Sequence, residues 1–269
     1  MTPPTTDTAR TSSRARPAGR VVSSRRSPGA YRPFFSYYGA KWTSAKHYGA
    51  PRRALVIEPF AGSACYSLYW GAEKVRLYDV FPDICDLWDF LIHASEADIA
   101  AIPDAFEHQD DFLSLPRGPR LLCGFWVSKG RAEASGVLSP WYFQYRGATN
   151  CRVWGPAVKR RIIAQKPLLA GWSIDCLSYD KVPVEDAHWH IDPPYSNAAG
   201  RRYPHSAVDF DALATWCRSL PGAVDVCENV GAAWLPFAAS HQVATLRGRR
   251  SGAVSREALW RCDDRECMA

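Results

Sequence analysis

The sequence predicts an α/β protein built on a mostly parallel sheet of about seven strands, carrying a mainly helical insert and a disordered basic N-terminal tail. Three observations predict it. Short runs rich in β-forming residues alternate with stretches whose apolar residues recur at helical spacing, and that alternation builds parallel sheets. Acids close three of the runs, at Asp79, Asp175 and Asp192, where an open parallel sheet binds its ligands. Between residues 96 and 167 strands give way to helical stretches separated by Pro and Gly.

Residues 1–29 are rich in Thr, Ser, Pro, Gly and Arg with almost no large apolar side chain. Burial there is too small to offset ordering entropy, so a disordered tail is expected. The aromatic run at 31–42 opens the ordered part. Residues 54–60 read as a first strand, Gly62 as a tight turn and residues 63–69 as a helix. Residues 75–78 form a second strand ending at Asp79, and residues 82–91 a helix with Ile84, Leu87, Trp88 and Leu91 on one face. The insert, 96–167, holds helices at 120–129 and 156–165, and its stretch 140–154 packs five aromatics with two arginines. Strands follow at 169–174, 188–191, 223–227, 242–246 and 257–261, with a helix at 209–219. Residues 30–95 and 168–269 therefore form the main domain, interrupted by the insert.

The 269 residues are 47% hydrophobic, 13% aromatic and 22% charged, which fits one substantial core and excludes collagen-like, coiled-coil and mostly disordered chains. No apolar run approaches the ~20 residues that span a bilayer, and no apolar stretch follows the N-terminal arginines, so a cytoplasmic protein is expected. The net charge of +6 sits in residues 1–32, where seven arginines face Asp7 alone; residues 33–269 hold 26 basic and 26 acidic side chains. Such a tail either grips a polyanion through its phosphates or is a solvated extension. Nine scattered cysteines without a C-x-x-C pair fit neither a disulfide framework nor a zinc-ligand set, so no metal is expected.

An acid ending the second strand is placed to accept hydrogen bonds from two ribose hydroxyls, which assigns Asp79 to a nucleoside; capping of the next helix is the plainer alternative. The turn after Glu58 lacks the glycine patterns that bring backbone against phosphates, so its single glycine favours a ligand without them. In Asp192-Pro193-Pro194-Tyr195 two prolines fix φ and remove two amide donors. The Asp192 carboxylate and a neighbouring carbonyl can then accept from one planar amino group, while Tyr195 offers a ring on which a base stacks. His188 and His190, on a strand of buried character, read as structural.

In these residues the chain resembles the DNA adenine-N6 methyltransferases of the Dam-like, D12 class, and looks close to their small phage-encoded branch. The likeness covers residues 34–262 and rests on four elements in the family's order: Tyr37-Tyr38-Gly39-Ala40-Lys41, Glu58-Pro59-Phe60-Ala61-Gly62-Ser63, the insert, and Asp192-Pro193-Pro194-Tyr195. The resemblance implies a Rossmann-like methyltransferase sheet and S-adenosylmethionine as cofactor. It implies that Tyr37 and Lys41 contact the cofactor, that Glu58, Phe60, Gly62 and Ser63 surround its methionine part, and that Asp79 binds its ribose. Asp175 and Cys176 would bracket its adenine, and Asp192 would border it as well.

The resemblance further implies direct attack by the N6 of an adenine flipped out of double-stranded DNA, with Asp192, Pro193, Pro194 and Tyr195 as the catalytic set. Tyr145 and Arg146 in the insert, and Arg201 and Arg202 in the loop after the tetrapeptide, become the expected DNA contacts. Two positions depart from the family pattern: Ala64 stands where a second glycine is usual, and Cys176 where a Phe is usual. A monomer with no obligate restriction partner is expected, in the host cytoplasm if phage-encoded. Alternatives are cytosine N4 or an RNA adenine as acceptor, or a catalytically inactive DNA-binding protein on the same fold.

Overall fold

The computed structural model describes residues 27–147, 151–244 and 254–263. Most of the expected tail and the end of the strand expected at 242–246 lie outside them. Residues 27–29, expected in the tail, already form a turn held by the Gly29 amide, which donates to the Tyr69 carbonyl at 2.8 Å. Order thus begins slightly earlier than composition predicts.

Seven strands make one mixed sheet: β1 (Leu55–Glu58), β2 (Lys74–Asp79), β3 (Trp172–Cys176), β4 (Ala187–Ile191), β5 (Gly222–Asn229), β6 (Ala238–Ala244) and β7 (Val254–Asp263). Their order is β3-β2-β1-β4-β5-β7-β6. The first five lie parallel, whereas β7 runs antiparallel to both β5 and β6. The expected parallel sheet therefore becomes mixed at one edge. Leu259 pairs with Cys227 on one side and Ala238 on the other, so β6 begins near the end of β5 and projects past it. That overhang carries part of β7 above the carboxyl ends of the parallel strands.

Helices α1 (Cys65–Trp70), α2 (Pro82–His93) and α8 (Phe210–Ser219) belong to the main domain, and α3 (Glu96–Ala101), α4 (Gln109–Leu113), α5 (Arg117–Val127), α6 (Pro140–Tyr145) and α7 (Pro156–Gln165) to the insert. Helix α2 shows why these residues fold as they do. Pro82 sits in its first turn with Asp83, His93 ends it, and Ile84, Leu87, Trp88 and Leu91 are all buried, matching a proline start, the helix dipole and one apolar stripe. Helix α6 is capped by Ser139, whose hydroxyl accepts from the Tyr142 amide. The third strand starts later than expected because Lys166–Gly171 forms a tight 3-10 turn first.

Alternate residues of each strand face opposite sides, and two buried clusters flank the sheet. One joins Val56, Leu77, Phe34, Phe35 and Trp88 with insert residues Phe125, Trp126, Tyr142 and Trp154. The insert therefore shares its apolar core with the main domain. The other cluster packs Ile57, Trp189 and Val224 against Leu213 and Cys217 of α8. Cys65, Cys85, Cys123, Cys217 and Cys227 are buried free thiols, whereas Cys262 is disulfide-bonded. Among the described residues no helix is long and apolar enough to cross a membrane.

Candidate active site

The strand order turns between β1 and β4, the place where open α/β sheets leave a crevice beyond their carboxyl ends. A cleft of about 670 Å³, its open mouth included, lies there. Tyr37, Lys41, Glu58, Phe60, Gly62, Ser63, Asp79, Asp192 and Pro194 of the expected site line it.

Glu58 ends β1 and is buried, its Oε1 accepting from the Ser67 amide of α1 at 3.0 Å. Burial pushes its carboxyl up to about 7, against the opposing effect of the Ser67 hydrogen bonds. The following turn is closed by Gly62, whose φ of +44° brings its amide 3.0 Å from Asp79 Oδ2 and its carbonyl 2.8 Å from Trp88 Nε1. Two residues on, Ala64 has φ 45° and ψ 41° and is the one non-glycine with positive φ among the described residues. A left-handed L-residue costs roughly 1–2 kcal/mol. An alanine here therefore carries strain that a glycine would not, tolerated where the Ala64 amide bonds the Ala61 carbonyl at 2.7 Å.

Asp79 ends β2 and accepts from the amides of Gly62 and of Phe81, the latter at 2.9 Å. It holds the turn into α2, whose N-cap is Phe81 rather than Asp79, and it also lines the cleft. Burial raises its pKa despite the amides of Phe81, Gly62 and Val80 and nearby His205.

Asp192 directly follows β4. Its Oδ1 lies 3.2 Å from the Lys41 ammonium yet has no hydrogen-bond donor in good geometry. Burial raises the Asp192 pKa, Lys41 opposes the rise, and Glu257 and Glu228 add to it. Burial acts to lower the Lys41 pKa, but Asp192 and Glu257, with smaller effects of Tyr203 and Cys227, more than reverse this, leaving it raised. The same ammonium stands 4.3 Å over the Tyr195 ring, and the Tyr195 hydroxyl donates to Glu257 Oε2 of β7 at 2.6 Å. Pro193 is buried and Tyr195 half-buried; neither belongs to the lining of the cleft.

The loop after the tetrapeptide folds back over the cleft and contributes Tyr203, Pro204 and His205 to its wall. The Tyr203 hydroxyl donates to the Tyr38 carbonyl at 3.2 Å, and Gly200 lies so close to Tyr195 that a Cβ would collide with the Tyr195 carbonyl. These wall residues carry no local sequence signal beyond following the tetrapeptide. His190, expected to be structural, is buried and stacked on Tyr66 at 4.1 Å, and it also borders the cleft.

Other expected site residues are not gathered in. Asp175 and Cys176 are exposed at the end of β3 and are absent from the cleft lining, because β3 is an edge strand two places away from the turn in strand order. Arg146 is paired with Glu107 at 2.7 Å, and the Tyr145 ring is covered by Arg152 at 5.0 Å. Arg202 lies over the Tyr38 ring at 5.7 Å, while Arg201 is exposed. In the insert Tyr142 is fully buried, whereas Trp141 and Phe143 are 37% and 41% exposed. Among the described residues no cluster of three or more His, Cys, Asp or Glu is arranged to hold a metal ion.

Fold and cleft together define an α/β protein with an acid-lined crevice at the turn of its strand order. Compared with known proteins, the chain matches no family model and no curated protein.

Proposed function

We propose that the protein transfers a methyl group from S-adenosylmethionine to the N6 amino group of an adenine flipped out of double-stranded DNA. One observation carries this: four stretches far apart in sequence, around Lys41, Gly62, Asp79 and Asp192, meet in one cleft. The stretch β3-β2-β1-β4-β5 also follows the order of doubly wound, Rossmann-like sheets.

The side chains fit the cofactor. Glu58, Asp79 and Asp192 line the cleft, and Lys41, paired with Asp192, is its one Lys or Arg. Such a lining suits a cationic nucleoside without phosphates. Each Asp79 oxygen already accepts one amide and keeps a further lone pair for a ribose hydroxyl. Glu58 is placed for the methionine ammonium, and Tyr37, Phe60 and Phe81 offer ring faces. When bound, S-adenosylmethionine supplies an electrophilic methyl group on a sulfonium. The Asp192 carboxylate, held through Oδ1 by Lys41 at 3.2 Å, accepts from the amino group of a planar base and orients its nitrogen. Pro193 and Pro194 leave no competing amide, and Tyr195 gives the base a surface to stack on. Fixed acceptors of this kind act through positioning and preorganisation. Exposed Trp141 and Phe143 are suited to contact the duplex from which the base has left.

The test incubates purified protein with S-adenosylmethionine and unmethylated duplex DNA, then identifies methylated nucleosides by mass spectrometry. N6-methyladenine that disappears with Asp192→Ala is expected. N4-methylcytosine would keep the residue roles and change the base; no methylated nucleoside would refute the proposal.

A further inference from the structure

We propose that Glu257 is a positioning residue for Tyr195, and through it for the planar base whose amino group is methylated. The inference rests on the methyltransfer proposed above and adds to it a residue outside the cleft and outside every motif in the sequence.

Glu257 is only 3% exposed, and a carboxylate so buried needs hydrogen-bonded partners. Both its oxygens have one. Oε2 accepts the Tyr195 hydroxyl at 2.6 Å, and Oε1 accepts the Ser255 hydroxyl at 2.7 Å. The network continues, since Asn229 Nδ2 donates to Ser255 Oγ at 3.0 Å and Asn197 Nδ2 donates to Asn229 Oδ1 at 2.6 Å. Between these, the Ser196 amide donates to Glu228 Oε2 at 2.9 Å. Three consecutive residues, Tyr195, Ser196 and Asn197, are therefore each tied to β5 or β7, where Asn229 and Glu257 face each other in register.

The tie to Tyr195 acts on the ring itself. Lys41 stands over one face at 4.3 Å, so on the proposed reading the base stacks on the other. A phenol fixed at its hydroxyl and covered on one face has a single orientation to offer. Without Glu257 the hydroxyl loses its only side-chain partner among the described residues, and the ring is free to tilt on its Cβ.

The test is a double-mutant cycle of Glu257→Ala and Tyr195→Phe, read as single-turnover methyl transfer to DNA beside calorimetric S-adenosylmethionine affinity. Misplacement of about 1 Å costs up to about 100-fold in rate. Glu257→Ala is therefore expected to slow transfer about 10- to 100-fold while cofactor affinity stays within about twofold. Adding it to Tyr195→Phe should slow that variant no further. Losses that multiply in the double variant, or a Glu257→Ala enzyme at the wild-type rate, would overturn the inference while leaving the methyltransferase proposal standing. A wild-type protein that transfers no methyl group overturns both. If Glu257→Ala does not fold, the same cycle is run with Glu257→Gln, which keeps the shape; a slower rate that vanishes in the Tyr195→Phe background supports the inference, and any other result overturns it.

Discussion

Replacing Lys41 by methionine removes the cation 3.2 Å from Asp192 while keeping much of the apolar stem. At that separation two unit charges attract by about 5 kcal/mol if the effective dielectric constant is about 20. The side chains are 12% and 23% exposed, so solvent reduces this, and a nearby opposite charge typically changes the ionisation free energy of a carboxylate by roughly 1.4–4 kcal/mol. Lys41 is the main influence holding the Asp192 carboxyl down, against burial and against Glu257 and Glu228. Without it the proton returns at higher pH. In the proposed methyl transfer the amino group needs an ionised acceptor, so the acid limb of the rate profile should move upward. Below that limb the rate should fall roughly ten- to thousand-fold at fixed pH, and raising the pH should recover it. Single-turnover methyl transfer from pH 5.5 to 9, with cofactor saturating, measures the shift. A variant that loses activity equally at every pH would refute this role for Lys41.

Two further outcomes follow from the same geometry. Burial holds Glu58 at about 7 instead of 4.5 and Asp225 at about 6 instead of 3.8, so the folded state binds these protons more tightly than the unfolded chain. Their contribution to stability is therefore present below the unfolded values and is lost as pH rises through the folded ones, by about 3 kcal/mol each; Glu58→Gln should flatten the decline in urea stability between pH 5 and 7. Gly39 has φ +70°, and a Cβ there would strike the Tyr203 hydroxyl, so Gly39→Ala should cost at least about 1–2 kcal/mol of backbone strain and weaken cofactor binding by displacing the cleft wall. Gly136→Ala, where a Cβ meets open space, is the control in thermal melts and calorimetry.

Local patterns made much of this molecule legible. Helix α7 was readable from its proline start and apolar spacing, and Asp79 and Asp192 could be placed because acids at the carboxyl ends of central parallel strands converge. The same rule misplaced Asp175, since strand order is set by pairings between distant segments and puts β3 at the edge. The wall formed by Tyr203 and His205 depends on a loop folding back onto Tyr38. The Tyr195–Glu257 bond joins residues 62 positions apart with nothing periodic between them. Ala64 was visible as a departure, but its left-handed backbone was not, because φ follows from the closure of the turn as a whole.

The placement of β7 also bears on how the protein completes its fold. Among the described strands β6 is held in the sheet through β7 alone, and β5 has a bare edge until β7 enters between them. Non-local pairing of this sort closes slowly, and a bare edge is prone to stick to other chains. The strand that covers this edge also brings Glu257 to Tyr195, so an incompletely folded molecule lacks the support for that ring. If the proposed methyl transfer holds, it is thereby tied to completion of the sheet, and partly folded chains should transfer no methyl group until β7 has docked.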